Sequence, residues 1–358
     1  MLKKRMYQLL AASILLLALT GCGAAKSENI TAGMEAIKSL DYDTALTCFE
    51  AAKEAGENER LLYRGEGIAY LGKTMYPEAV EAFLTSLNHS NGLIENMDYD
   101  INYYLATAYY KQGDYDNAIA VYDAIIAMKK DEKDAFYFRG AAYTEKDEIE
   151  EAQQSFDAAI AAAPSDYDRI IDIYCILNEH GYKEIGTAYL QTAMENDTKK
   201  MTNYEKGRIS YYLEDYENAR TYLEKARDEK GYEAVLFLGK TYETLGDNNY
   251  AISVYNTYLE SNPVYNTYLE SNPDAAQVWN QLGLCKLNME DNEGALQAFQ
   301  TAMQIENNGM MQTLKMNEII AYEHLHEYKK ASVLMESYLK SYPDDETAQR
   351  EYLFLKTR

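Results

Sequence analysis

Cysteine and histidine are scarce in this sequence, with four of each among 358 residues. Apart from Cys22, the cysteines are Cys48, Cys175 and Cys285, an odd number of widely spaced residues that fall inside helical patterns. Cysteines in such positions usually serve as small buried apolar residues, and their number and spacing do not indicate a disulfide framework or a metal site. Proline is also scarce, with five residues, and glycine is modest at 19, which argues against a disordered chain.

Motifs for catalysis and for phosphate binding are missing as well. The segment RGEGIAYLG at 64–72 has three glycines, but Gly67 belongs to a repeated column and no predicted strand precedes it, so it does not predict a phosphate loop. His324 and His326 lie two residues apart on a predicted helix, hence on different faces, and no HExxH or GxSxG motif occurs. We therefore expect no enzyme, no cofactor and no metal site.

Positive charge is in short supply. The chain has 34 Lys and Arg against 58 Asp and Glu, for a formal net charge of −24. A chain this acidic will not bind nucleic acid by neutralising phosphates, and anionic headgroups should repel it. Any attachment to a membrane must then come from something other than a basic patch.

The first 25 residues differ in character from the rest. Basic residues at 3–5 precede an apolar stretch from Leu9 to Leu19, which is the order of a signal peptide and is too short for a permanent membrane helix. The residues that follow, LTGC at 19–22, resemble the lipobox of bacterial lipoproteins. An ordinary signal peptide with a chance cysteine is the alternative.

In lipoproteins a diacylglyceryl group is attached to the cysteine sulfur, and the chain is cut just before that residue. The resemblance therefore implies a signal peptide at 1–21, a lipid on Cys22 and a short tether at 22–25. Cleavage would remove three positive charges and leave a net charge of −27. Because two acyl chains anchor a protein stably, the expected location is the extracytoplasmic side of the cell membrane.

A repeat of about 34 residues runs through the rest of the chain. A small residue recurs at Ala45, Ala79, Ala118, Ala152, Gly186, Ala219, Ala251, Ala295 and Ala331. Four residues after each one comes a bulky apolar side chain, at Phe49, Phe83, Tyr122, Phe156, Leu190, Leu223, Tyr255, Phe299 and Met335. A second small column precedes the first by twelve residues, at Gly33, Gly67, Ala106, Gly140, Gly207, Gly239 and Gly283. Two antiparallel helices approach closely only where a small residue meets the partner, so each unit predicts a helix pair.

This pattern resembles the tetratricopeptide repeat. The resemblance implies an all-α fold, a right-handed α-solenoid of about nine helix pairs over residues 26–345, with a C-terminal capping helix at 346–358. The unit at 167–199 departs from the pattern, because Tyr174 stands where glycine is expected and Gly186 replaces alanine.

One interval between repeats is ten residues too long, and its cause is a direct duplication. Residues 254–263 read VYNTYLESNP, and residues 264–273 repeat the same ten letters. We expect the first copy to finish its repeat and the second to form a short extra turn capped by Asn262. No function follows from the duplication.

In tetratricopeptide proteins the first helices of successive units line a concave face that binds peptides. Carrying over the inward-facing positions predicts a groove with an aromatic part and a basic part. Its residues are Tyr103, Tyr110, Tyr137, Tyr204 and Tyr211, with Lys38, Arg64, Lys111, Arg208 and Lys240. The alternative is that the tyrosines pack between repeats and the cations balance local acids. Met34 and Ile30 stand where the carboxylate clamp of chaperone-binding members needs asparagine and lysine, so that ligand class is not supported.

These observations predict a lipid-anchored scaffold that binds other envelope or membrane proteins through its concave face. A receptor for peptides or small ligands of the cell envelope is the alternative, and an enzyme with an unrecognised site is a weaker one.

Overall fold

The computed structural model describes residues 27–197, 199–227, 231–261 and 273–358. Within these residues all regular secondary structure is helical, and no strand is present. The chain divides into two compact units, of which unit 1 ends at Tyr189 and unit 2 begins at Leu190. The predicted signal peptide, Cys22 and the tether lie outside the described residues.

Unit 1 is built from helices that alternate in direction and pack as sequential pairs. Its helices are α1 (Glu28–Lys38), α2 (Tyr42–Glu54), α3 (Glu59–Gly72), α4 (Tyr76–Asn88), α5 (Asn96–Gln112), α6 (Tyr115–Met128), α7 (Lys133–Glu145), α8 (Ile149–Ala162) and α9 (Tyr167–Glu179). The next helix, α10 (Lys183–Asp197), contains the boundary between the two units.

Unit 2 continues the same alternation. Its helices are α11 (Asn203–Tyr212), α12 (Tyr216–Ala226), α13 (Tyr232–Thr244), α14 (Asn248–Ser261), α15 (Pro273–Asn288), α16 (Asn292–Met303), α17 (Met311–His324), α18 (Tyr328–Ser341) and α19 (Glu346–Leu355). The described residues thus form nine helix pairs followed by a single helix, and the predicted all-α repeat fold is confirmed.

Most pairs close where a small residue of the first helix meets a bulky side chain of the second. A Cβ added at Gly33 would lie 2.6 Å from Cε1 of Phe49, and one at Gly140 would lie 2.5 Å from Cε1 of Phe156. Both distances are far below the roughly 3.5–4.0 Å of a carbon–carbon contact, so only glycine fits there. The bulky column is buried in all nine pairs, as the spacing predicts.

The fifth pair reaches the same close approach by a different route. Tyr174 is buried on the first helix, at the position where seven of the other pairs have glycine or alanine and the ninth has Ile319. Here the second helix supplies the glycine, because a Cβ at Gly186 would lie 3.1 Å from both Cα and O of Tyr174. The two departures noted in the sequence therefore compensate each other, since Gly186 makes room for the backbone that carries Tyr174.

The turns inside the nine pairs share one backbone geometry. Each contains a residue with φ between 59° and 87°, namely Leu40, Thr74, Gly113, Asp147, Gly181, Glu214, Gly246, Glu290 and His326. The next N–H donates to the carbonyl five residues back, as from Met75 to Tyr70 at 2.9 Å, which is the Schellman arrangement. In four turns an aspartate then caps the second helix through the N–H three residues on: Asp41, Asp114, Asp215 and Asp291.

The first copy of the duplication lies in α14 as far as Ser261, as expected. Residues 262–272, which hold Asn262 and nearly all of the second copy, lie outside the described residues. The expected extra turn therefore stays a prediction.

Candidate functional site

The first helices of successive pairs lie against one another in each unit. In unit 1, α1 contacts α3, α3 contacts α5 and α7 contacts α9. In unit 2, α11, α13, α15 and α17 follow one another in the same way. The second helices of unit 1 from α2 to α8, all of them in the described part of the chain, make no comparable contacts with each other. Each unit therefore presents a continuous surface made by its first helices, which we call the first-helix face.

Arginines on this face of unit 1 are paired with acids of the neighbouring first helix. Arg64 Nε lies 2.5 Å from Asp100 Oδ2, and the guanidinium carbon is 5.7 Å from the centre of the Tyr104 ring. Arg169 Nη2 lies 2.6 Å from Asp134 Oδ1 in a similar link between α9 and α7. These cations thus link first helices, which agrees with the alternative in which they balance local acids.

The predicted tyrosines of unit 1 also contact residues of the neighbouring first helix. Tyr110 donates its hydroxyl to Glu145 Oε1 at 2.8 Å, and Lys111 Nζ lies 6.0 Å from the centre of the Tyr110 ring. Tyr103 packs edge-to-face on Phe138 with ring centres 6.4 Å apart. Tyr137 is only 4% exposed, and the Arg169 guanidinium carbon lies 4.0 Å from its ring centre. The structure therefore brings Arg64, Tyr103, Tyr110 and Tyr137 to successive first helices.

The hydroxyls of these tyrosines stay protonated at neutral pH. Burial raises the pKa of Tyr110 above its usual value of 10, and the Glu145 carboxylate raises it further. Burial likewise raises the pKa of Tyr103, with the Glu132 and Asp134 carboxylates adding to the effect. Each phenol is therefore neutral, so these tyrosines bring an aromatic ring but no negative charge to the face.

The first two pairs carry an apolar strip that was not predicted as part of the groove. Met34 and Ile37 on α1 and Leu61, Ile68 and Leu71 on α3 are all partly exposed side chains beside the core. Leu61, Ile68 and Leu71 share a stripe of α3 with Arg64, since their spacings are close to whole helical turns. The same inward-facing positions could have identified the strip, but only tyrosines and cations were predicted from them.

In unit 2 the predicted residues are more deeply enclosed. Tyr204 is 4% exposed and Arg208 9% exposed, and the Arg208 guanidinium carbon lies 5.1 Å from the Tyr204 ring centre and 5.3 Å from that of Phe237. Tyr211 packs edge-to-face on Phe237 at 5.6 Å. Tyr211 and Lys240 are both half-buried. These residues form a contact zone between α11 and α13, with little side-chain surface left over for a partner.

Lys38 stands apart from the other predicted groove residues. Its Nζ lies 2.7 Å from Glu35 Oε1 on the same helix, and both side chains are more than half exposed. Such a pair contributes little to stability. Within the described residues Lys38 is thus an exposed surface cation at the end of α1.

Other kinds of site find no support in the described residues. No group of three or more His, Cys, Asp or Glu side chains there is arranged to hold a metal ion. Cys48, Cys175 and Cys285 form no disulfide bond within the described residues. No described helix combines the length and the apolar composition that crossing a bilayer requires. The first-helix face is therefore the candidate site that the structure offers.

Comparison with known proteins agrees with the repeat pattern. A family model described as "Tetratricopeptide repeat" matches residues 103–167 and 204–266, and a second model with that description matches residues 276–308. The chain therefore contains tetratricopeptide repeats, and it is consistent with a protein–protein interaction scaffold.

Two curated proteins show partial similarity. The chain is 27% identical over 167 residues to the TPR repeat-containing protein YpiA of Bacillus subtilis (strain 168), covering 44% of this chain and 38% of that protein. It is 22% identical over 246 residues to the TPR repeat-containing protein MJ1428 of Methanocaldococcus jannaschii, covering 65% of this chain and 42% of that one. The chain thus spans about two fifths of the length of these relatives.

The chain is also similar in part to a solved structure. It is a tetratricopeptide repeat protein from Parabacteroides merdae ATCC 43184, which is 16% identical and superposes with a TM-score of 0.45. The match covers 83% of this chain and 99% of that structure.

Proposed function

We propose that this chain is a lipid-anchored scaffold on the extracytoplasmic side of a bacterial membrane, and that unit 1 binds a segment of a partner protein. The observation that carries the proposal is the first-helix face of pairs 1–4. There an apolar strip from Met34 to Leu71 continues into the tyrosines of α5 and α7.

The chemistry of this face favours an apolar or aromatic partner segment. Arg64 is already engaged by Asp100 at 2.5 Å, so its charge is largely met within the protein. What remains accessible is partly exposed apolar surface, whose burial is worth about 25 cal/mol per Å². Partly exposed tyrosines such as Tyr110 add rings that pack well against apolar or aromatic side chains.

The membrane part of the proposal rests on the first 22 residues. Their order of basic residues, apolar run and LTGC motif supports a lipid on Cys22. With two acyl chains buried, such an anchor is stable, whereas a single chain is marginal. The net charge of −24 makes an electrostatic attachment unfavourable, so the lipid has to supply the binding.

Site-specific photocrosslinking in intact membranes tests the binding face. A photoreactive phenylalanine analogue is placed at Ile68 or Leu71 on the first-helix face, and at Leu84 on α4 as the control. Leu84 is a second-helix residue with 42% exposure, so it samples solvent without lining the face. We expect discrete protein adducts from 68 and 71 and none from 84. Equal adducts from all three positions, or none from 68 and 71, would remove the first-helix face as the binding site.

The anchor is tested separately by Cys22→Ser. We expect this variant to lose the lipid mass and to leave the membrane fraction, or to stay as an unprocessed precursor. A variant that is still processed and membrane-bound would contradict the lipobox assignment without affecting the crosslinking result.

A further inference from the structure

One connection in unit 1 is longer than its equivalents and carries two exposed apolar side chains. Residues 89–95 link α4 to α5, whereas four residues suffice at 55–58, 129–132 and 163–166. Leu93 is 69% exposed and its neighbour Ile94 is 63% exposed. Isolated exposed apolar residues are ordinary, but here two adjacent ones share the longest of these connections.

Hydrogen bonds hold this loop in its outward conformation. Leu93 N donates to Asn91 Oδ1 at 2.9 Å, and Asn91 Nδ2 donates to Glu95 Oε1 at 3.0 Å. Glu95 Oε2 in turn accepts from Arg60 Nη1 at 3.0 Å. These bonds tie the polar groups of the loop to one another and to Arg60, and they leave Leu93 and Ile94 exposed.

The loop lies at the end of unit 1 where α1 begins. Glu57, in the connection before α3, accepts from the N–H groups of Asn29 and Ile30 at 3.0 Å each, so this connection abuts the start of α1. The start of α3 is joined in turn to the 89–95 loop through Arg60. We call this end of unit 1, formed by the starts of α1, α3 and α5, the leading edge.

Leu40 provides a contrast at the opposite end. It is 71% exposed and lies in the turn between α1 and α2. Since α1 has 11 residues, Leu40 stands about 16 Å from the leading edge along the helix axis.

We propose that Leu93 and Ile94 insert into the interfacial region of the same bilayer that holds the lipid on Cys22, so that the leading edge faces the membrane. This inference rests on the proposed lipid anchor. Five residue steps separate Cys22 from Ser27 and can span at most about 18 Å. The loop precedes α5, which is the second first helix after α1. From the usual spacing of packed helix axes, the loop lies roughly 20 Å to the side of α1, which is within reach of the same leaflet.

The contact is apolar in kind and does not depend on headgroup charge. Three acids of the leading edge have partners within the protein, namely Glu57 with the start of α1, Glu95 with Arg60, and Glu59 with His89 Nδ1 at 3.1 Å, while Glu28 is exposed. With a net charge of −24 on the whole chain, anionic lipid offers no added attraction. Vesicles of zwitterionic phosphatidylcholine are therefore suitable for testing this contact.

Tryptophan fluorescence in vesicles tests the orientation. Leu93→Trp, Ile94→Trp and Leu40→Trp are each made in the full chain, purified with its native lipid and reconstituted into phosphatidylcholine vesicles. The single native residue, Trp279, contributes a constant background that is measured in the parent. Replacing part of the lipid by its bromine-labelled form should quench the emission of a tryptophan at position 93 or 94 at least twofold. A tryptophan at position 40 should be unaffected, and adding anionic lipid should not increase the quenching.

The outcomes separate this inference from the anchor on which it rests. A lipidated chain in which tryptophan at 93 and 94 is unquenched, or is quenched no more than at 40, would overturn the inference alone. Quenching at 40 only would show that the opposite end lies on the bilayer, and would overturn it as well. A chain whose mass shows no lipid on Cys22 would contradict the proposed anchor, and this inference would fall with it.

Discussion

Replacing Thr74 by glycine should stabilise the protein, because Thr74 occupies a backbone conformation that suits glycine. Its φ is +60° in the turn between α3 and α4, and its side chain is exposed. The left-handed conformation costs an L-residue about 1–2 kcal/mol, and a β-branched side chain suits it poorly. Glycine removes that cost but gains about 0.5–1 kcal/mol of freedom in the unfolded chain. The net expected gain is about 0.5–1 kcal/mol.

Two exchanges elsewhere give matched controls. Gly113→Thr makes the reverse change in the turn of the next pair, where φ is +82°, and should destabilise the protein. Thr47→Gly makes the same chemical change at an exposed position inside α2, where glycine should cost roughly 0.5 kcal/mol. Exchanges between the same two residue types thus carry opposite predicted signs that depend only on backbone conformation.

The assay must respect the repeat architecture, since arrays of repeats need not unfold in one step. Thermal melting by circular dichroism should be paired with hydrogen exchange of the amides in α3 and α4. We expect a higher melting temperature and slower exchange for Thr74→Gly, and a lower melting temperature for both controls. A lower melting temperature for Thr74→Gly, or the same sign for all three variants, would refute the argument from backbone strain.

Three further predictions concern a carboxyl group, a close contact and the duplication. Burial raises the pKa of Glu323 to about 7, with Glu351 adding to it, so stability is fully present below about pH 4.5 and falls as the pH rises to about 7. Glu323→Gln should abolish that fall in melting temperature, and an unchanged pH profile would contradict it. Gly140→Val should cost about 1–3 kcal/mol by overpacking against Phe156, partly relieved by Phe156→Leu; a neutral effect in denaturant melts would argue against the contact. Deleting residues 264–273 should preserve the helical circular dichroism and the melting temperature, whereas collapse of the fold would show that the second copy is part of the core.

Much of the candidate site could be predicted because inward-facing positions recur with the repeat. Arg64, Tyr103, Tyr110 and Tyr137 do lie on successive first helices of unit 1. The sequence could not predict which of these side chains already bind a partner group within the protein. Arg64 meets Asp100 only because α3 and α5 pack with one particular register, and their residues are 36 positions apart in the chain.

The sequence also could not distinguish buried from accessible positions on the first-helix face. Tyr137 and Tyr204 are nearly inaccessible, while Ile68 and Leu71 are partly exposed. All four residues occupy inward-facing positions of the repeat. From residue type and spacing alone, the tyrosines were predicted to contact a partner and the aliphatic residues were not. Accessibility depends on the neighbours that each helix receives from the adjacent pairs, and these neighbours belong to distant segments.

The helices, their pairing and the residues that close each pair follow from the amino-acid sequence alone. These features are local, since a helix repeats every 3.6 residues and a glycine such as Gly33 faces its partner Phe49 within one repeat. Other features depend on tertiary packing. It brought Gly186 against the backbone of Tyr174 in the fifth pair, gave Thr74 a left-handed backbone, paired Arg64 with Asp100 and left Leu93 exposed on the leading edge. Each of these outcomes follows from how whole helices settle against one another, where packing and hydrogen bonds across segments outweigh local preference.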